Sequence, residues 1–316
     1  VSDAKEAPKR NIGPLSILLM LLAGVIYSLL FPVNRIATEN GVPALGYVVW
    51  VTLGGGAIML LACVLRRKLP FTGRRHLVVY FVGGAIGLAA PMTLLTLAAP
   101  NLPSSVITMI VVLAPLLSYL FALPVKLERF RWLSIAGLLC GLSGILLILI
   151  PDASLPDPDM VGWVLLTLLV PVLFALFNIF IDLYAPAEGD GMQLGTGVLV
   201  AAGLVMLPVT AITGDFHLFP GPSVEGDLAV LYATLINVAR WWLMFIIISM
   251  AGAVFVSQTA YIIVLGGFGW QALFFGGSVS SYIWAAAGLL LIGLATNTLS
   301  KIHLQRAAQP RYRNSI

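Results

Sequence analysis

The feature that most constrains this chain is a succession of apolar runs long enough to cross a bilayer, parted by short stretches where Gly, Pro and charge collect. A hydrocarbon core of about 30 Å is crossed by about 20 helical residues at 1.5 Å each. Composition agrees. Of 316 residues, 60% are hydrophobic and 9% charged, and mean hydropathy is +1.02, whereas a soluble domain carries roughly 25% charged residues. A surface so poor in charge would not stay in water. The net charge of +4 could suggest a nucleic-acid partner, but the basic residues sit in short loops between apolar spans. Orientation in a lipid bilayer accounts for them, and no nucleic acid is implied.

With Gly, Pro and charge as punctuation, the sequence predicts ten helices at 15–38, 43–65, 77–99, 102–125, 131–150, 161–185, 192–213, 228–249, 253–275 and 282–304. The charges test this division independently, because cytoplasmic loops are rich in Lys and Arg. With the N-terminus inside, the cytoplasmic segments hold 15 of the 17 basic residues, from Lys5, Lys9 and Arg10 through Arg66–Lys68, Arg74, Arg75, Lys126, Arg129 and Arg131 to Lys301, Arg306, Arg311 and Arg313. The outer loops hold Glu39, Asp152, Asp157, Asp159, Asp215, Glu225 and Asp227, with no Lys. The loop at 186–191 is acidic where a basic one was open to it. The expectation is a multi-pass inner-membrane protein with both termini cytoplasmic.

The first run follows Lys5, Lys9 and Arg10 as a signal peptide would, but 15–37 is too long for an h-region and no small-x-small site closes it. It reads as a helix. Cys63 and Cys140 both fall inside apolar runs and read as small core residues. The Pro/Asp-rich stretch 151–160 is the obvious linker, and predicts a cytoplasmic tail 1–14, a five-helix repeat 15–150, a periplasmic linker 151–160, a second five-helix repeat 161–304 and a cytoplasmic tail 305–316. Five is odd, so the halves enter the membrane from opposite sides, the inverted arrangement of many secondary transporters. Weak internal similarity supports the division: 25–31 with 172–178, and 136–142 with 287–293.

Pro103 to Ile150 carries a further signal. It has a Pro-Ser-Ser start, Pro115 within the helix, Leu127-Glu128, then Arg131-Trp132 and Gly137, and ends in Gly-Ile-Leu-Leu-Ile-Leu. In this the chain resembles the drug/metabolite transporter superfamily, of the ten-helix type built from two EamA-like repeats. The second repeat departs from that pattern: 275–282 has no Glu, Gly266 stands where a proline is expected, and Trp50 stands where the family often places an Arg. The resemblance implies an all-α integral membrane fold, two inverted five-helix repeats around a central cavity lined by helices 1, 3, 4, 6, 8 and 9. It also implies movement of amino acids, other metabolites, nucleotide sugars or drugs, and it points toward export.

Arg240 is the sharpest single residue, a cation near the middle of helix 8. At the bilayer centre a cation costs at least about 2.5–3.5 kcal/mol, so such residues face a cavity or a partner. Asn237, Arg240, Trp241 and Met244 follow i, i+3, i+4, i+7 spacing and would share a face. A guanidinium beside an indole and an amide suits a carboxylate. The alternative is a structural ion pair, with Asp182 as the obvious partner, although on helical rise the two differ in depth by about 10 Å. Other half-polar faces offer Tyr27, Phe31 and Asn34 on helix 1, Phe174, Phe177 and Asn178 on helix 6, Gln258 and Tyr261 on helix 9, and Ser104, Thr108 and Pro115 on helix 4. Each could equally be ordinary helix packing. Aromatic faces also hold cations, so Arg plus aromatic lining suits a zwitterion. Asp182 and Glu128, at the inner ends of helices 6 and 4, are candidates for gating or coupling.

What is missing narrows the mechanism. No Gly-x-x-x-x-Gly-Lys-Ser/Thr loop is present, so ATP drive would need a partner subunit, and none is evident. His76, His217 and His303 form no metal spacing, and no cofactor is indicated. The absence of a deep carboxylate argues against coupling through a buried acid. The reading is a secondary transporter, not an enzyme, moving a small carboxylate-bearing or zwitterionic metabolite by alternating access. The rivals are a lipid-moving protein or a multidrug or cation exporter of the same fold. A membrane enzyme on lipid-linked substrates would need an interfacial cluster of Asp, Glu or His, which the sequence lacks.

Overall fold

The computed structural model describes residues 13–148, 160–276 and 280–308. Lys5, Lys9, Arg10, Arg311, Arg313 and the linker positions 151–159 lie outside the described residues, within which every regular element is a helix. In chain order these are α1 Pro14–Glu39, α2 Ala44–Leu65, α3 Arg74–Ala98, α4 Ser104–Ala122, α5 Trp132–Leu147, α6 Met160–Tyr184, α7 Gly191–Thr213, α8 Val224–Ala251, α9 Phe255–Phe275 and α10 Ser281–Ser300. All but α5 are long and apolar enough to cross a membrane, and α5 is a shorter apolar helix. The chain is an all-helical, multi-pass membrane protein, with ten apolar helices where ten were expected.

Of the boundaries that move, two have clear local reasons. α8 starts four residues before the predicted 228, because Ser223 caps it by accepting from Gly226 N at 3.1 Å, and Glu225 and Asp227 suit the positive end of a helix. α4 stops at Ala122 rather than 125. There the chain turns, with Lys126 at φ 58° and Leu127 N donating back to Ala122 O at 3.0 Å.

The loops gather at two ends. At one, Ser223 Oγ donates to Asn40 Oδ1 at 3.1 Å and Trp50 Nε1 to His217 O at 2.7 Å. At the other, Gln193 Nε2 donates to Leu69 O at 2.6 Å and Lys68 lies 3.6 Å from Asp190. The first end carries Glu39, Asp215, Glu225 and Asp227 and is called the acidic end. The second carries Arg66, Arg67, Lys68, Arg74, Arg75, Arg129 and Arg131 and is called the basic end.

Prolines break three helices. A proline has no N–H for the carbonyl four residues back, and its ring crowds that carbonyl. The helix gives way one turn earlier: at Leu29 before Pro32, at 112–113 before Pro115, and at Leu168 before Pro171. Tighter bonds mark the breaks, as where Leu113 N donates to Ile110 O at 3.1 Å. Pro91 follows a π-helical turn, Ala85–Ala89, whereas Pro208 lies inside an assigned α-helix. α9 breaks at Gln258 without a proline.

Lipid tails are as apolar as the helices, so association depends on close packing. α1 packs on α8 and α9, α6 on α3 and α4, α2 on α7, α4 on α9, and α5 on α10. Glycines allow the nearest approaches. A Cβ on Gly137 of α5 would lie 2.6 Å from Gly293 O of α10, and one on Gly87 of α3 would run into the Phe177 ring of α6. Packing is tightest toward the acidic end. There Leu30–Glu39 of α1 lies on α3 and α4, and every residue of Ser104–Val111 is buried. Leu169–Tyr184, which runs to the basic end, buries only Val170, Pro171 and Ala175.

Candidate functional site

α8 carries Arg240 into the middle of the bundle. By helical rise the residue lies about 24 Å from one end of α8 and about 16 Å from the other. Its guanidinium carbon sits 4.7 Å from the centre of the Tyr27 ring of α1 and 4.9 Å from that of Trp241 on its own helix. Tyr27 lies two residues before the break at Leu29. Among the described residues no carboxylate comes within ion-pair distance of Arg240, and its buried Nε donates to nothing. Asp182, the partner considered from sequence, is exposed two residues from the basic end of α6.

The neighbours on α8 share this lack of acceptors. Asn237 is 1% exposed and its Nδ2 is unpartnered; Trp241 is 7% exposed and its Nε1 is unpartnered. The expected common face is divided. Arg240 turns to α1, Asn237 Nδ2 approaches Gly55 of α2, and Trp241 packs on Gly195 of α7 with its ring tilted against that of Phe245 at 5.7 Å. Thr259 Oγ1 of α9 is also buried without a partner. Three unmatched N–H donors on adjacent turns, one of them charged, make this part of α8 a place that lacks acceptors. Buried donors are normally paired, and an unpaired one costs about 1–3 kcal/mol.

The other candidates divide into two groups. Phe31 is 1% exposed in the core, Asn34 accepts from Tyr47 Oη of α2, and Thr108 donates to its own Ser104 O at 2.5 Å while facing Gly267 of α9. These three are absorbed by packing. Phe177 fills the Gly83–Gly87 notch of α3. Tyr261 Oη lies 3.4 Å from Thr298 Oγ1 on α10, Gln258 marks the α9 break, and exposed Asn178 donates to Ser118 Oγ of α4 at 3.1 Å. Glu128 pairs with Arg131 at 2.8 Å beside Tyr119. Arg35 pairs with Glu39 at 2.7 Å and lies over Phe275 of α9.

Sequence reasoning missed two features. His217, 2% exposed, holds Asp227 at 2.7 Å, and the other oxygen of that carboxylate accepts from Gly221 N, so the α7–α8 loop is tied to the first turn of α8. Gln271 of α9 accepts from Ser104 N at 2.9 Å, joining α4 to α9 at the acidic end. Neither has a sequence spacing that reveals it.

Comparison with known proteins gives one family and one fold. Residues 14–150 match the EamA-like transporter family. A solved crystal structure aligns with a TM-score of 0.60 over 89% of this chain and 98% of its own, at 21% identity, a likeness of fold. No curated protein matches the chain.

Proposed function

We propose that this chain, whose residues 14–150 match the EamA-like transporter family, is a membrane transporter that carries a small carboxylate-bearing or zwitterionic metabolite past Arg240 by alternating access. The observation behind this reading is a guanidinium at mid-depth that touches two aromatic rings and has no carboxylate among the described residues. Cation–π contacts are worth about 0.5–2 kcal/mol each, comparable to the cost of insertion, but they leave the N–H fork without acceptors. A carboxylate supplies two oxygens matched to that fork. Tyr27 forms one wall beside the guanidinium, while Asn237 and Trp241 face α2 and α7 and shape the helix that carries it.

The helix pairings support two inverted five-helix halves. Advancing each number by five turns the pairs α1–α8 and α1–α9 into α6–α3 and α6–α4, and returns α2–α7, α4–α9 and α5–α10 to themselves. The contacts of Leu30–Glu39 with α3 and α4 have no counterpart of similar extent between α6 and α8 or α9. On this reading the halves are closed at the acidic end and looser at the basic end. The basic end faces the cytoplasm of an inner-membrane protein, on the positive-inside rule, and substrate enters there for export. Asp182 and Glu128 belong to that inner rim.

A thermal-shift screen of the purified chain against amino acids, organic acids and methylated solutes tests the proposal. Hits should carry a carboxylate, and Arg240→Gln should bind them at least about 30-fold more weakly, because losing one partner of a desolvated charge pair costs about 2–5 kcal/mol. Unchanged uptake of a hit by Arg240→Gln in proteoliposomes would end the proposal.

A further inference from the structure

We propose that the start of α3 is a binding site for an anionic phospholipid, a role separate from the path through Arg240. α3 opens Arg74-Arg75-His76 after Gly73, with no side-chain cap and no acid in its first turn. A helix N-terminus carries roughly half a positive charge, so two arginines there stand where anions are favoured. The α8 start shows the usual arrangement, with capping Ser223, Glu225 and Asp227. Elsewhere at the basic end, Lys68 lies near Asp190, Arg131 pairs with Glu128 and Arg66 contacts Met192 Sδ. Arg74 and Arg75 have no carboxylate within ion-pair distance among the described residues.

Two grooves meet at these arginines. One, of about 540 Å³, lies between α3 and α6 and is lined by Arg74, Arg75, Val78, Val79, Phe180 and Tyr184. The other, of about 550 Å³, adjoins it across Arg74 and Val78 and runs along α3 past Leu77, Phe81 and Val82. Below the cations both walls are apolar, and Leu77, Val78, Phe81 and Val82 are exposed. In a bilayer that wall faces acyl chains while Arg74 and Arg75 stand at the headgroup level. A free anion would use the cations and leave the walls empty. A phospholipid uses both, with its phosphate at the start of α3 and a tail in each groove. Basic pockets between membrane helices are suited to such headgroups. The net charge of the headgroup should decide, because a choline carries its own cation to the same place.

The test compares phosphatidylglycerol with phosphatidylcholine of identical acyl chains, added to the detergent-purified full chain. Binding is followed by native mass spectrometry and thermal unfolding. Phosphatidylglycerol should be retained and raise the unfolding temperature more than phosphatidylcholine. Each cation near an anionic headgroup is worth about fivefold, so Arg74→Gln/Arg75→Gln should bind it roughly 30-fold more weakly. Val78→Trp, which fills the grooves and keeps both cations, should also weaken retention. Equal effects of the two lipids, undiminished binding by the double variant, or the same stabilisation by inorganic phosphate would overturn the proposal. Should the double variant fail to fold, the lipid comparison on the unaltered chain and Val78→Trp still decide it.

Discussion

Arg35 and Arg131, at opposite ends of the bundle, and Arg240, in its middle, all lie over aromatic rings. Arg35 is 4.3 Å from the Phe275 ring and 2.7 Å from Glu39; Arg131 is 4.8 Å from the Tyr119 ring and 2.8 Å from Glu128. Arg240 has two rings at 4.7 and 4.9 Å and no carboxylate among the described residues. The rim pairs are charge-neutral, each arginine having a carboxylate three or four residues away. A ring attracts a cation through its face but accepts little from an N–H fork. Arg240 is therefore held in place without being neutralised, and the proposed binding role rests on that difference.

The largest effect should come from erasing this difference. Met244 lies one helical turn beyond Arg240, at i+4, where a carboxylate can pair with it. Met244→Glu gives the guanidinium a permanent partner and should reduce carboxylate-ligand binding by about 100-fold or more, since a ligand must displace a buried pair worth about 3 kcal/mol when broken. Met244→Gln, of the same shape without charge, should bind nearly as the unaltered chain does. If Met244→Glu binds such ligands normally, they do not sit beside Arg240. Arg240→Lys comes next. It keeps the charge and loses the planar fork, and a weakening of about tenfold, read by the same thermal shift, would assign the remainder to charge alone.

The ten apolar helices were legible because their pattern rests on large transfer energies. A run of apolar residues leaves the membrane only by exposing apolar surface to water, and a cation inside such a run cannot be indifferent to its surroundings. Rotation about the helix axis was not legible. Where a helix is apolar on all sides, sequence does not say which face meets a neighbour. Thr108 and Asn34 accordingly looked like cavity residues by type, yet Thr108 donates to Ser104 O and Asn34 accepts from Tyr47. The start of α8 was placed too late because Ser223, Glu225 and Asp227 form a polar first turn that an apolar window passes over. His217 and Asp227 come together through the α7–α8 loop, whose path no periodicity describes.

The smaller effects belong to the rim, and they should appear in stability rather than binding. Glu128→Gln removes the partner of an Arg131 side chain that is 10% exposed and whose Nε already lacks an acceptor. Leaving that charge partly buried should cost about 1–3 kcal/mol, seen as a lower unfolding temperature in detergent with ligand affinity unchanged. Glu39→Gln should cost less, about 0.5 kcal/mol or below, because Arg35 and Glu39 are 25% and 41% exposed, and water screens an i, i+4 pair of this kind. The order of the two losses is the informative result. If Glu39→Gln destabilises more than Glu128→Gln, burial does not set the strength of these pairs. The Arg35–Glu39 contact, lying over Phe275 of α9, would then be a working closure of the acidic end rather than a solvated surface pair, and ligand affinity should change along with stability.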